Sequence, residues 1–384
     1  MTKRIVFLVP GFFGFSTVGS LSYFHDVADA LRRSLVRRRI EAEVIRCETQ
    51  PTASIVRRAV RLRRQVIEHG GLEAQELHFV GHSTGGLDVR MLLTPGVRIA
   101  RGNSEERIAA RTRTAISVVT PHHGTPLANH FNSLQGQTLL LVASALAASG
   151  QRRGAIIGAA QAVALVAQLD DWMGGSETAL DRIAAGLLKK IRRNRRDPFW
   201  KYLGEIEADQ GAVLQLTPEG MHLFDAAVAD RAGVSYGCVA AGVPTPSQRV
   251  RAQDLLNPQH MALRAVFGLL HALASRQHPR YPYPRTSKST QLKLRRGLGF
   301  AADKGTNDGV VPTLSQLHGR VLHVACADHL DVVGHYTQAA KGTGNWLPSG
   351  AGFTQQRFDA LWDDVAAAIA RGRRAARAGK MKLV

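Results

Sequence analysis

A serine flanked by glycines follows a short apolar run in residues 76–86, which read ELHFVGHSTGG. A serine hydroxyl becomes an effective nucleophile only when a nearby base takes its proton and the side chain stands clear of the backbone. A sharp turn from a strand into a helix achieves this, and such a turn accepts only very small neighbours. The pattern therefore predicts that Ser83 is a nucleophile in an elbow formed with Gly81, Gly85 and Gly86. No lysine follows the glycines, unlike in a phosphate-binding loop.

Attack on an acyl carbon also requires N–H groups that stabilise the negative charge on the acyl oxygen. The backbone N–H of Thr84, at the start of the helix expected after the turn, is the first candidate. The second lies in the loop after the apolar run RIVFLV, where Gly11 lets the chain turn and the N–H of Phe12 follows. Phe12 and Thr84 are thus the predicted oxyanion hole. The alternative for the loop at Phe12 is an ordinary turn at the end of a strand.

An acid and a base are expected after the serine, in the chain order serine, aspartate, histidine. Asp308 lies in the turn-like stretch KGTNDGVVP, and His329 follows the apolar run RVLHVA. Parallel sheets carry their functional groups at the C-terminal ends of their strands, so His329 is well placed to take the serine proton. Asp308 would then hold the tautomer and the orientation of the imidazole.

Three residues near His329 are alternatives for the base, the acid and the nucleophile. His335 is the alternative base, although it lies beyond the predicted end of the strand. Asp328 is an alternative acid, but as the direct neighbour of His329 in the chain it is expected to point elsewhere. Cys326 lies too close to the strand interior to be favoured as a nucleophile.

Three further histidines adjoin the same motifs. His122 and His123 follow the strand-like run AISVVT, and they either line a pocket or have a structural role. His82 directly precedes the serine. We interpret His82 as a support for the turn rather than as a proton carrier.

The elements that must position these residues alternate between strand-like and helix-like patterns through the first third of the chain. Strand-like runs at RIVFLV, EAEVI, ELHFV and AISVVT are interleaved with helical patterns, two of which lie around 22–39 and 53–68. This alternation predicts an α/β protein with a mostly parallel central sheet flanked by helices. Two more strand-like runs, VSYGCVAAG and GRVLHVAC, and a closing amphipathic helix follow later in the chain.

Residues 130–215 break this pattern with Ala-rich apolar helices, which we interpret as an inserted helical cap or lid. Neither apolar run reaches the roughly 20 residues that a membrane span needs. The core then consists of residues 1–129 and 216–371, and residues 372–384 form a basic C-terminal tail. Residues 276–299, rich in proline and positive charge, are predicted to be a long surface loop.

The chain carries a formal net charge of +20, and much of its arginine falls in two helix-like stretches at 32–39 and 57–64. These are either ordinary amphipathic helices with a solvated cationic face or surfaces attracted to anionic lipid or nucleic acid. No signature of a nucleic-acid-binding fold accompanies the charge, so a membrane surface or an anionic substrate is the expected partner and nucleic acid is not. The N-terminal apolar run is short and is broken at Pro10 without a cleavage site, which favours a cytoplasmic or peripherally membrane-associated protein.

In these motifs the chain resembles the lipases of the α/β-hydrolase superfamily, nearest to the bacterial triacylglycerol lipases. The resemblance is carried, in chain order, by VPGFFG, GHSTGG, TPHHGTP, LTPEGMHLFD, VSYGCVAAG, NDGVVP and DHLDVVG. It implies the α/β-hydrolase fold, with Ser83, Asp308 and His329 at the positions of the catalytic triad. The reaction that it implies needs no cofactor.

The chain departs from this family at two places. Lipases of the group usually have His-Gly in the oxyanion loop, where this chain has Pro10 and Gly11. Many also hold calcium with an aspartate two residues after the catalytic histidine, which is Asp331 here. The position of the expected partner carboxylate falls near Thr286, where there is no acidic residue, so no metal site is expected.

The resemblance and the motifs together predict a serine hydrolase that cleaves carboxylic esters with a lipid-like acyl group, through an acyl-enzyme intermediate. One alternative is an acyltransferase or thioesterase that uses the same triad. The other is a membrane-binding protein with the hydrolase fold and only incidental activity.

Overall fold

The computed structural model describes residues 3–12, 17–18, 21–131, 209–245, 258–276, 283–336 and 348–381. Its main strands are β1 (Arg4–Val9), β4 (Glu43–Arg46), β5 (Glu76–His82), β6 (Thr112–Val118), β7 (Ser235–Gly242) and β8 (Arg320–Cys326). They form one sheet in the order β4-β1-β5-β6-β7-β8, in which all neighbouring strands are parallel. A separate ribbon pairs β2 (Thr17–Val18) with β3 (Leu21–Ser22).

Helices cover both faces of this sheet. They are α1 (Val27–Arg37), α2 (Ile55–Glu68), α3 (Gly85–Leu93), α4 (Ser104–Arg111), α5 (Pro126–Phe131), α6 (Gly211–Gln215), α7 (Pro218–Ala227), α8 (Pro258–Ala274), α9 (Lys288–Leu298) and α10 (Gln355–Met381). The predicted architecture, a parallel sheet with helices on both sides, is confirmed. The helix expected around 22–39 begins only at Val27, because the residues before it form β3 and a turn.

The central strands are apolar along their whole length because both of their faces are buried. In β1, Val6 and Leu8 join the core formed with α1 and α10. Ile5, Phe7 and Val9 join the core formed with α2, α3 and α4. Successive side chains of a strand point to opposite faces, so a strand covered on both sides must be apolar at nearly every position.

The prediction of a long surface loop at 276–299 is wrong, because most of its second half is α9. The side chain of Ser287 caps this helix by accepting the N–H of Thr290 over 3.2 Å. Gly299 ends it in the left-handed conformation, at φ 82°. Leu294 and Leu298, four residues apart, are buried against β7 and β8. These local helix signals override the proline and lysine content of the segment.

Of the predicted cap at 130–215, residues 132–208 lie outside the described residues. The helices that precede and follow them, α5 and α6, pack against each other. Next to these helices, the N–H of Thr125 donates to the carbonyl of Leu216 over 2.9 Å. At the other end of the chain, α10 continues to Met381 and so includes most of the segment predicted to be a basic tail. Within the described ranges, no helix combines the length and the apolar character required to cross a bilayer.

Candidate active site

Ser83 lies in the sharp turn between β5 and α3. Its φ angle is 54°, in the left-handed region that residues other than glycine seldom adopt, and it is 4% exposed. A Cβ on Gly81 would lie 2.5 Å from the backbone of Gly85. One on Gly85 would overlap the last carbonyl oxygen of β1, and one on Gly86 would overlap the side chain of a threonine after β6. All three predicted glycines therefore lie where neighbouring atoms leave no room for a side chain.

The loop that follows β1, residues 10–12, lies directly against Ser83. A Cβ on Gly11 would overlap the Ser83 Cβ and lie 3.0 Å from the Ser83 Oγ, so only glycine lets the loop approach the hydroxyl. The Gly11 N–H donates to the Tyr23 hydroxyl over 2.8 Å, and the next N–H along the loop is that of Phe12. Thr84 is the N-cap of α3, which places its backbone at the positive end of that helix. Both predicted oxyanion donors thus belong to segments that adjoin Ser83.

Asp308 and His329 form a hydrogen-bonded pair at the C-terminal edge of the sheet. The His329 Nδ1 is 2.7 Å from the Asp308 Oδ2. The fully buried Asp308 carboxylate also accepts the N–H groups of Val310 and Val311 and the side-chain amide of Gln316. A carboxylate held by this many donors fixes the Nδ1–H tautomer of the imidazole. The Nε2 of His329 is then left with the lone pair that a general base needs.

His82 links the Ser83 turn to the loop that carries His329. Its Nε2 is 2.9 Å from the His329 carbonyl oxygen, and the two ring centroids are 4.8 Å apart. Its Nδ1 is 2.7 Å from the Tyr23 hydroxyl. The structure therefore brings the turn, the Asp308 loop and the His329 loop together, and His82 is part of the support for the turn.

The residues considered as alternatives near His329 have other contacts. The His335 Nε2 donates to the Tyr23 carbonyl over 3.0 Å. The Asp328 carboxylate accepts two backbone N–H groups of its own loop and the hydroxyl of Ser349. Burial raises the pKa of the Cys326 thiol, which favours its protonated form.

His122 and His123 fit structural roles. The His122 Nε2 is 3.0 Å from the Ser117 hydroxyl, and its ring stacks on that of His318 at 4.5 Å. The His123 ring lies 3.5 Å from the Asp225 carboxylate. Burial lowers the pKa of both imidazoles, so both favour the neutral form.

A buried ion pair under the site was not anticipated from the sequence. Arg58 on α2 and Asp88 on α3 are both fully buried, and the Arg58 guanidinium approaches the carboxylate at 2.8 to 3.1 Å. Arg58 also donates to the carbonyls of Gln50, at 2.6 Å, and Pro10, at 2.8 Å. Nothing in the sequence marked this arginine among the many others on α1 and α2.

The surroundings of Asp331 do not fit the calcium site of the family. Asp331 and Asp328 are buried neighbours, and the Asp331 carboxylate accepts the backbone N–H of Asp328 over 3.0 Å. Burial raises the pKa of Asp328 to about 6, and burial together with the Asp328 charge raises that of Asp331 well above its usual value. Such a pair favours sharing a proton when no cation is bound, and two carboxylates are few for the six to eight oxygen ligands that calcium takes. In the part of the chain that the structure describes, no three His, Cys, Asp or Glu side chains are grouped to bind a metal.

No protein-family model and no curated protein sequence matches the chain. Solved structures are similar to it along nearly its whole length. Lipase 1 from Pelosinus fermentans is 17% identical, with a TM-score of 0.52 over 95% of this chain and 99% of that one. The Staphylococcus hyicus lipase is 14% identical, with a TM-score of 0.52 over 97% and 96%. A metagenomic carboxyl esterase is 16% identical, with a TM-score of 0.50 over 96% and 76%. This likeness shows the fold, which is the α/β-hydrolase fold implied by the motifs.

Proposed function

We propose that the protein is a serine hydrolase that cleaves carboxylic esters through an acyl-enzyme intermediate. The observation that carries the proposal is the Asp308–His329 pair, tied through His82 to a turn that holds Ser83 at φ 54°. Strained backbone, a buried carboxylate and an oriented imidazole at one place are typical of catalysis rather than of binding alone. The similar folds named lipase and carboxyl esterase support the same reaction class.

In this reaction the Ser83 Oγ attacks the acyl carbon while the His329 Nε2 takes its proton. Asp308 holds the Nδ1–H and stabilises the imidazolium that forms. The N–H groups of Phe12 and Thr84 stabilise the oxyanion. The proton then passes to the leaving alcohol. A water molecule, deprotonated by the same Nε2, attacks the acyl-enzyme, releases the acid and restores Ser83. No cofactor takes part in these steps.

The acyl group in this proposal is lipid-like, and residues 130–215 are its cap. The basis is that this segment contains two apolar Ala-rich runs, TLLLVASALAASG and GAIIGAAQAVALVAQL, and that the chain has a net charge of +20. Residues 1–129 and 216–371 then form the catalytic core, and the protein acts peripherally at anionic lipid surfaces.

The test is covalent labelling with a fluorophosphonate probe, followed by rates on p-nitrophenyl esters of increasing chain length. The wild type should be labelled on Ser83 and should hydrolyse these esters. Ser83→Ala should lose both properties and keep a melting temperature within a few degrees. Ser34→Ala is the matched control, since Ser34 is also buried but lies in α1.

Labelling of Ser83→Ala as strong as that of the wild type would refute the proposal. Product analysis separates hydrolysis from acyl transfer, because a transferase would give mainly the new ester when a second alcohol is added to the water. Absence of labelling and of turnover in the wild type would favour a protein whose hydrolase chemistry has been lost.

A further inference from the structure

The Tyr23 side chain lies at a junction of three loops. It is 5% exposed, its hydroxyl accepts the Gly11 N–H over 2.8 Å, and the same oxygen is 2.7 Å from the His82 Nδ1. The Tyr23 backbone carbonyl accepts the His335 Nε2–H over 3.0 Å. One residue outside every motif thus contacts the 10–12 loop, the Ser83 turn and the loop that carries His329.

The hydrogen bonds through this junction can run in only one direction. The His329 carbonyl can only accept, so the His82 Nε2 at 2.9 Å from it must carry a proton. Burial lowers the pKa of His82 well below its usual value, so the ring is neutral and its Nδ1 is an acceptor. Tyr23 therefore donates its hydroxyl proton to His82 and accepts the Gly11 N–H. Burial also raises the pKa of the Tyr23 hydroxyl, which keeps that proton in place.

The peptide group that joins Pro10 to Gly11 is held at both of its ends. Its N–H donates to Tyr23, and its carbonyl accepts the Arg58 Nη2–H over 2.8 Å. Arg58 is fully buried and is itself fixed by Asp88. A peptide plane bonded at both ends to buried groups cannot rotate without breaking both bonds. The next peptide group, which carries the Phe12 N–H, starts from this held plane and is oriented relative to it by only the two backbone torsions of Gly11.

We propose that Tyr23 is a positioning residue that keeps the 10–12 loop and the His329 loop in one fixed arrangement around Ser83. This inference rests on the proposed function, because the loops it aligns are those of the oxyanion hole and the general base. Tyr23 does not touch the reacting atoms. It acts through Gly11 on the Phe12 N–H and through His82 on His329.

Tyr23→Phe removes the hydroxyl with the smallest change of shape and leaves the backbone hydrogen bond to His335 in place. The Gly11 N–H and the His82 Nδ1 lose their partner while both stay buried. Removal of an oxyanion donor itself lowers kcat by about 10²- to 10³-fold. In Tyr23→Phe the donor is still present but is no longer held in place, so the loss of kcat should be smaller. We expect kcat to fall about 10- to 100-fold. KM should change little, because the ground-state ester does not depend on the oxyanion contacts.

The experiment compares steady-state kinetics and inhibition in the wild type, Tyr23→Phe and Tyr236→Phe. Tyr236 is the matched control, since its hydroxyl also accepts a backbone N–H, that of Arg231 over 3.0 Å. It lies near the N-terminal end of β7, whereas the site lies at the C-terminal ends of the strands. A trifluoromethyl ketone, which forms a tetrahedral oxyanion on Ser83, should bind Tyr23→Phe about 10- to 100-fold more weakly, in proportion to the loss of kcat. The product alcohol, which forms no oxyanion, should bind all three equally.

A merely structural role would lower the melting temperature of Tyr23→Phe without weakening the ketone selectively, and that result would overturn the inference. ¹⁵N NMR of the wild type gives a second measurement that does not depend on the variant folding. It should show His82 as a neutral ring with the proton on Nε2, and a protonated ring or the Nδ1–H tautomer would also overturn it. Failure of Ser83 labelling in the wild type would instead remove the proposed function, while the NMR result still decides the hydrogen-bond direction.

Discussion

Asp308 and His329 are joined by two hydrogen bonds, one between their side chains and one between their backbones. The His329 Nδ1 lies 2.7 Å from the Asp308 carboxylate, and the His329 N–H donates to the Asp308 carbonyl over 2.9 Å. The backbone bond holds the two loops together whatever side chain occupies position 308. The charge of the carboxylate can therefore be removed without separating the loops.

Asp308→Asn should lower kcat by about 10³- to 10⁴-fold with little change in melting temperature, because the amide no longer enforces the Nδ1–H tautomer. Steady-state kinetics and thermal unfolding measure the two effects. Asp303→Asn is the control, since the Asp303 carboxylate accepts backbone N–H groups of the same loop at 2.8 and 2.9 Å without contacting His329. Comparable losses of kcat in the two variants would contradict the assigned role of Asp308.

His329→Ala should lower kcat by about 10³-fold or more, as expected for the base of a triad. His335→Ala should have a much smaller effect on kcat and should instead lower the melting temperature, because it removes the hydrogen bond to the Tyr23 carbonyl. Probe labelling rates and kcat distinguish the two histidines. A larger loss for His335→Ala would reverse the assignment.

Ser83→Gly should be more stable to unfolding than Ser83→Ala by about 1 kcal/mol, because only glycine adopts a positive φ without strain. Both variants should be inactive, so the comparison isolates the backbone. Chemical denaturation measures the difference. The same pair of substitutions at Ser34, inside α1, should give the opposite order, since glycine destabilises a helix interior. Equal stabilities at position 83 would mean that the turn relaxes in the absence of the hydroxyl.

Asp331→Asn should flatten the dependence of stability on pH. The raised pKa values of Asp328 and Asp331 mean that the folded state binds protons more tightly than the unfolded chain, whose aspartates titrate near pH 4. The stability that this pair contributes is thus fully present below about pH 4 and is lost as the pH rises through about 6 and above. The variant should therefore gain melting temperature relative to the wild type at pH 8 and little at pH 4. Asp359→Asn, at an exposed position, should leave the dependence of stability on pH unchanged. Parallel pH profiles for Asp331→Asn and the wild type would exclude a shared proton.

Hydrolysis of long-chain esters should rise with anionic vesicles, and the rise should weaken with salt. Some arginines of the basic stretches already pair with carboxylates, such as Arg38 with Asp363 and Arg61 with Glu48. The attraction must therefore come from the net charge of +20, the excess of basic over acidic side chains. The Debye length falls from about 10 Å at 0.1 M salt to about 3 Å at 1 M, which screens such attraction. Short soluble esters are the control, and equal responses of both ester classes would contradict a role for the charge at lipid surfaces.

The parts of the site that could be predicted from sequence are those encoded locally. The glycines around Ser83 and the turn at Asp308 each carry their signal within a few neighbouring residues. The roles of Tyr23 and Arg58 could not be predicted, because their partners lie elsewhere in the chain and become neighbours only when the sheet forms. A tyrosine or an arginine outside a motif has no local mark that separates it from the others.

Helix α9 was not predicted for a different reason. Its cap at Ser287 and its terminal Gly299 were visible in the sequence, but the preceding prolines and the positive charge of 276–299 favoured a loop. Composition averaged over a long segment concealed two signals that each depend on a single residue. Reading residues 287–299 alone would have given the correct structure.

α5 and α6 pack against each other at the two points where the proposed cap joins the rest of the chain. The described residues on the two sides are Phe131 and Asp209, and at Asp209 the Thr52 hydroxyl binds the backbone carbonyl while Arg57 binds the carboxylate at 2.6 Å. Both points are held by the core, and the free-energy cost of closing a flexible segment between them grows only slowly with the length of the segment. We therefore expect that the proposed cap can be replaced as one unit, by a segment of another length, without loss of the fold. The loops that carry Phe12, Ser83, Asp308 and His329 would keep their contacts.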